Sequence, residues 1–222
     1  PYVILGDADL PDAAAICATA RLINSGQSCI AAKRFIVVRS RLEEFTNLLV
    51  EQMKKAKMGD PLQEDTEVGP LAREDLREQL HRQVTESVQM GADLLLGGYL
   101  PEGPGWFYPP TVLSNVAKGM PVYQEETFGP VAAIIPAEDE EDAIMKANDS
   151  AYGLGASVFS REVERAETIA VTRLDAGSCF INTFVRSDPR LPFGGIKESG
   201  YGRELSSYGI KEFTNIKTVY IR

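Results

Sequence analysis

The segment Asn24-Ser25-Gly26-Gln27-Ser28-Cys29-Ile30-Ala31-Ala32-Lys33-Arg34 has the residue types that covalent chemistry needs, closely spaced. A cysteine stands where a helical pattern ends and an extended apolar run begins. Small residues around it leave room for a ligand, and two cations follow four and five positions later. Backbone amides left free at such a turn stabilise a thiolate or a developing oxyanion, and Lys33 and Arg34 are expected to act in the same direction. That arrangement displays a nucleophile. The competing reading is a small buried hydrophobe, the commoner fate of an isolated cysteine.

The other chemically able residues are sparse. Cys17 lies in a helical pattern and Cys179 in a strand pattern, which makes both expected core residues. Ser28 and Ala31 flank Cys29, so no neighbouring thiol is placed to form a local disulfide. The single histidine, His81, has charged neighbours on a helix. A Cys29 and His81 hydrolase dyad would need a third, orienting group. No C-x-x-C pair is present and no metal site is expected. Glu125 and Glu126 precede an apolar strand, with Phe128 just after them. Read alone, they are a solvated charge pair and a core aromatic.

The elements that must position these groups follow from periodicity. A short buried strand at residues 1–6 leads to a helix capped by Asp9, with Pro11 in its first turn, running to Leu22; Asn24, Ser25 and Gly26 end it. A strand at 35–38 follows. Leu42, Phe45, Leu49, Met53 and Ala56 share one helical face, as do Leu76, Leu80, Val84 and Val88 on the next helix, which stops at Gly91. Residues 94–96 form a strand, and 97–110 a Gly- and Pro-rich loop. The remainder alternates: strand 131–135, helix 138–148, strand 156–159, helix 162–174, strand 178–182. This alternation predicts an α/β fold with a largely parallel sheet flanked by helices. Residues 212–221 alternate like an edge strand seeking a partner.

Composition narrows the function classes. The 222 residues are 44% hydrophobic and 25% charged, ordinary for a globular chain able to bury its own core. Against 23 Lys and Arg stand 32 Asp and Glu, a net charge of -9 with no basic cluster, which argues against nucleic acid and anionic membranes. No apolar run reaches the ~18 residues that span a bilayer, and no secretory leader is recognisable, so a cytoplasmic location is expected.

The Cys29 segment resembles the nucleophile motif of the aldehyde dehydrogenase superfamily. Three further words resemble the same family in the same order: Glu125-Glu126-Thr127-Phe128-Gly129-Pro130-Val131, Asn148-Asp149-Ser150-Ala151-Tyr152-Gly153-Leu154, and Pro192-Phe193-Gly194-Gly195-Ile196-Lys197-Glu198-Ser199-Gly200. The resemblance covers essentially the whole chain. It implies that Cys29 attacks an aldehyde to give a thiohemiacetal, which loses hydride to NAD or NADP and leaves a thioester for water to hydrolyse. It further implies that Glu126 accepts hydrogen bonds from the nicotinamide ribose, with Phe128 packed beside it.

The family's dinucleotide-binding domain, its general-base glutamate and its oxyanion-hole asparagine precede the position matching Pro1. The chain is therefore expected to be the C-terminal catalytic portion without that domain: 1–202 catalytic, 203–222 a terminal segment carrying an oligomerisation strand, in a homodimer or homotetramer. An oligomerisation module without catalysis is the alternative.

Within the family the likeness is greatest to succinate-semialdehyde dehydrogenases, from residues 58–61, 94–98 and 187–190. Ser187 matches a serine that binds the distal substrate carboxylate, and Arg186 and Arg190 could add charge there, since a guanidinium fork matches a carboxylate. Phe193 matches an aromatic lining the substrate tunnel. Ile23 departs from the pattern, because some members carry an arginine there, and it leaves room for aromatic or longer aldehydes.

Overall fold

A computed structural model describes residues 1–222. In chain order the elements are β1 (Tyr2–Ile4), α1 (Leu10–Leu22), β2 (Arg34–Val38), α2 (Leu42–Lys55), α3 (Glu74–Gln89), β3 (Asp93–Leu96), β4 (Thr111–Ser114), α4 (Pro121–Gln124), β5 (Val131–Ala137), α5 (Glu140–Asn148), β6 (Tyr152–Gly153), β7 (Gly155–Phe159), α6 (Val163–Thr172), β8 (Ser178–Ile181), β9 (Ile196–Lys197) and α7 (Ser206–Glu212). No helix is long and apolar enough to cross a membrane.

Seven strands form one sheet in the order β3-β4-β5-β2-β1-β7-β8. Every pairing is parallel except β3 with β4. The central strands are buried on both faces, which is why Arg34–Val38 and Val131–Ala137 read as apolar runs rather than as alternation. Successive side chains still point to opposite sides. Tyr2, Ile4, Phe35, Val37, Ala132 and Ile134 face a core completed by α1 and α2. Val3, Leu5, Ile36, Val38, Ala133 and Ile135 face a second core completed by α3, α5 and α6. Each fully buried Leu, Ile, Val or Phe contributes about 1.5–3 kcal/mol.

Two connections assemble the motif words. β6 and β9 pair antiparallel, Tyr152 opposite Lys197 and Gly153 opposite Ile196, so the third word lies against the fourth. The amide of Val185 donates to the Tyr2 hydroxyl at 2.8 Å, fixing the start of the Arg186 segment to β1.

The terminal segment pairs with no strand of its own chain. Glu212 ends helix α7, and residues 213–222 belong to no strand of this chain. Phe213, Ile216, Val219 and Ile221 are all largely exposed there. An edge strand exists only where a neighbouring strand supplies hydrogen bonds, and nothing within the chain does so.

Candidate active site

Helix α1 ends in three successive residues of left-handed backbone, Asn24, Ser25 and Gly26, with φ of 51°, 55° and 76°. This unusual turn is held from several sides. The buried Arg21 donates to the Gly26 carbonyl at 2.7 Å. The Gly69 amide donates to Ser25 Oγ at 3.0 Å, and the Ala72 amide to Gln27 Oε1 at 2.8 Å. Gly26 lies so close to the next motif that a Cβ on it would sit 2.1 Å from the Gly129 carbonyl oxygen. The Cys29 word and the Glu126 word are thus pressed together through backbone.

Beyond this clamp, Cys29 is exposed, while Cys17 is buried and Cys179 half-buried. Burial pushes the Cys17 thiol well up and the Cys179 thiol up, disfavouring both thiolates. The backbone amides of Ser28, Cys29 and Ile30 donate to no carbonyl of the chain. Of these three residues, Cys29 and Ile30 line a cavity.

Cys29 opens into a cavity of about 270 Å³ shared with Lys33, Glu126, Tyr152, Val185 and Glu198. A second cavity of about 620 Å³ also includes Glu126, Tyr152 and Glu198, and adds Phe128 and Gln83. Glu126 thus borders both, its side chain 43% exposed and 3.6 Å from the Lys33 ammonium. Its carboxylate has acceptor positions to spare, and an apolar ring stands beside it, a set that fits the ribose and nicotinamide end of a dinucleotide. The main chain beneath is fixed by Gln83, whose amide donates to Glu125 Oε2 at 2.8 Å and to the Glu126 carbonyl at 3.1 Å.

The structure separates other residues that the sequence placed together. Arg34 lines the Cys29 cavity but commits its guanidinium to main chain, donating to the carbonyls of Lys146 at 2.8 Å and Asp149 at 3.3 Å, at the end of α5. It also stacks 4.5 Å from the Tyr123 ring. His81 lies 3.2 Å from the Tyr108 hydroxyl and outside the Cys29 cavity, which removes the hydrolase dyad. Arg186 and Ser187 are exposed, beyond the cavity wall at Val185. Arg190 is turned onto Asp188, with bonds of 2.9 and 2.6 Å that hold the Asp188 carboxyl well below the usual range, while Arg186 makes no ion pair. Phe193 is half-buried against the α1 and α2 core, its main chain paired to Glu204 at 2.8 Å.

Arg21 and Gln83 are not singled out by sequence, and Lys33 is singled out only as a cation near the thiol, not as the neighbour of Glu126. Gln83 leaves a faint signal, being polar on the apolar stripe between Leu80 and Val84 of α3.

A mainly parallel sheet carries an exposed cysteine on a turn of left-handed backbone, with a carboxylate lining the same cavity, which defines an α/β domain with a thiol-bearing pocket. The chain belongs to the aldehyde dehydrogenase family, whose pattern matches residues 1–219. It is 47% identical over 221 residues to a succinate-semialdehyde dehydrogenase [NADP(+)] of Mycobacterium leprae, covering 100% of this chain and 48% of that protein. It is 48% identical to a succinate semialdehyde dehydrogenase [NAD(P)+] of Escherichia coli, covering 99% and 47%. The crystal structure of succinic semialdehyde dehydrogenase from Streptococcus pyogenes with NADP+ superposes at a TM-score of 0.95 and 41% identity, over 99% of this chain and 48% of that one. The chain spans about half the length of these relatives.

Proposed function

We propose that this chain is the thiol-bearing part of an NAD- or NADP-dependent aldehyde dehydrogenase acting on a carboxylated aldehyde such as succinic semialdehyde. The observation that carries the reading is the opening of exposed Cys29 and of Glu126 into one cavity. Cys29 sulfur adds to the aldehyde carbon as a thiolate, and the carbonyl oxygen becomes an oxyanion beside the free amides of the turn. Glu126 and Phe128 hold the ribose and nicotinamide end of the cofactor, which when bound supplies the hydride acceptor. Once the carbon is oxidised, the sulfur holds it as a thioester. Water then attacks the acyl carbon, releases the carboxylic acid and returns the thiol.

The names of the relatives support the substrate class, and Arg186 gives it a physical basis. An exposed guanidinium without a partner in this chain is suited to the far carboxylate of a semialdehyde, with the Ser187 hydroxyl beside it. In the full-length protein, Arg186→Ala is expected to lower kcat/KM for succinic semialdehyde about tenfold, with little change for an uncharged aldehyde of similar length. Aldehyde-dependent cofactor reduction measures both. Equal losses on the two substrates would move the assignment to aromatic or aliphatic aldehydes, which the apolar Ile23 admits. The exposed apolar side chains of 213–222 support a second copy of the chain as the neighbour that completes a terminal strand, in a homodimer or homotetramer.

A further inference from the structure

Lys33 takes no part in the chemistry above, yet its ammonium touches both motif words. It lies 3.6 Å from Glu126 Oε1, donates to the Ala31 carbonyl at 3.3 Å, and stands 5.8 Å from the centre of the Phe128 ring, within reach of a cation–π contact. Its side chain is only 18% exposed. One nitrogen therefore bridges the loop two residues beyond Cys29 to the carboxylate and aromatic assigned to the cofactor.

We propose that Lys33 is a positioning residue: it fixes the Glu126 carboxylate on the thiol side of the cavity, ready for the cofactor ribose. The proposal rests on the reading of Glu126 as the ribose ligand. Gln83 already anchors the Glu126 main chain, so what Lys33 adds is the orientation of the carboxylate. A free Glu side chain must be ordered when its ligand arrives, and a pre-set one avoids that cost.

The charge on Lys33 makes this contact dependent on pH. Burial draws the ammonium down to about 8; Arg21 on α1 pushes the same way, and Glu126 and Cys29 oppose. Arg34, Glu125 and Glu198 also line the cavity. The ammonium is present below about pH 8 and lost above it, so the hold on Glu126 weakens as pH rises.

The test uses the full-length protein with saturating aldehyde and varied NAD+ or NADP+. Lys33→Met is expected to raise cofactor KM roughly tenfold with a smaller fall in kcat, and Lys33→Arg to restore it. Wild-type KM should climb above pH 8, and Lys33→Arg, which stays charged, should abolish the climb. Glu126→Gln should raise KM, and adding Lys33→Met to it should change nothing further. Unchanged KM in Lys33→Met beside a raised KM in Glu126→Gln would overturn the role of Lys33 and leave the ribose assignment standing. Unchanged KM in Glu126→Gln would overturn both. If Lys33→Met fails to fold, a wild-type KM that stays flat through pH 8, or a climb that persists in Lys33→Arg, overturns the proposal.

Discussion

Cys29→Ser in the full-length protein is expected to lower kcat/KM for aldehyde oxidation on the order of a thousandfold or more. A serine hydroxyl at the same turn holds its proton at neutral pH, and the Cys29 cavity contains no histidine to remove it. An oxygen ester is also a poorer acyl donor than a thioester. Cys17→Ser should retain activity, because that thiol is buried in the α1 core and lines neither cavity that Glu126 borders. Alkylation by iodoacetamide followed by peptide mass spectrometry should find Cys29 modified first. Substantial oxidation by Cys29→Ser would refute the nucleophile.

Gly26→Ala should be nearly as damaging without touching a reacting atom. Its backbone φ of +76° is unfavourable to any residue with a Cβ, and that carbon would lie 2.1 Å from the Gly129 oxygen and 2.8 Å from the Pro130 nitrogen. Backbone, not a flexible side chain, blocks it. Either the thiol loop lifts away and strains the Arg21 bond to the Gly26 carbonyl, or residues 129–130 retreat and carry Phe128 and Glu126 with them. A stability loss of about 3 kcal/mol or more is expected from the denaturation midpoint, and about a hundredfold loss of kcat in the protein that still folds. Gly6→Ala is the control, since a Cβ there meets only Ser40 Oγ at 3.8 Å and Val38 Cγ2 at 4.0 Å. An unchanged midpoint and turnover in Gly26→Ala would show that the loop is not clamped at this point.

What could be read from the chain and what could not differ for physical reasons. The α/β alternation was legible because α2 and α3 are strongly one-sided and the central strands uniformly apolar. Strand β4 was missed: its four residues follow two prolines, and its place between β3 and β5 is a tertiary fact. Helix α7 was equally hidden, having a glycine inside, no side-chain cap, and left-handed Leu205 and Ser206 at its start. For the site, the words singled out Cys29 and Glu126, which border one cavity, but adjacency did not tell which cation reaches Glu126. Neighbours on an extended chain point opposite ways, so Lys33 reaches the thiol side with the parity of Phe35, and Arg34 goes with Ile36 to the end of α5.

The two cores lie on opposite faces of the sheet, yet they draw on alternate residues of the same strands, β1, β2 and β5. Loosening either layer of helices exposes strands whose reverse sides remain packed in the other layer. The free energy of opening one layer therefore includes part of the other, and the layers unfold as one cooperative unit rather than as two foldons. The turn that carries Cys29 is tied into this unit at both ends, through α1 and through β2. Global opening of the sheet is thus expected to release the thiol turn as well, while the turn itself can still open locally.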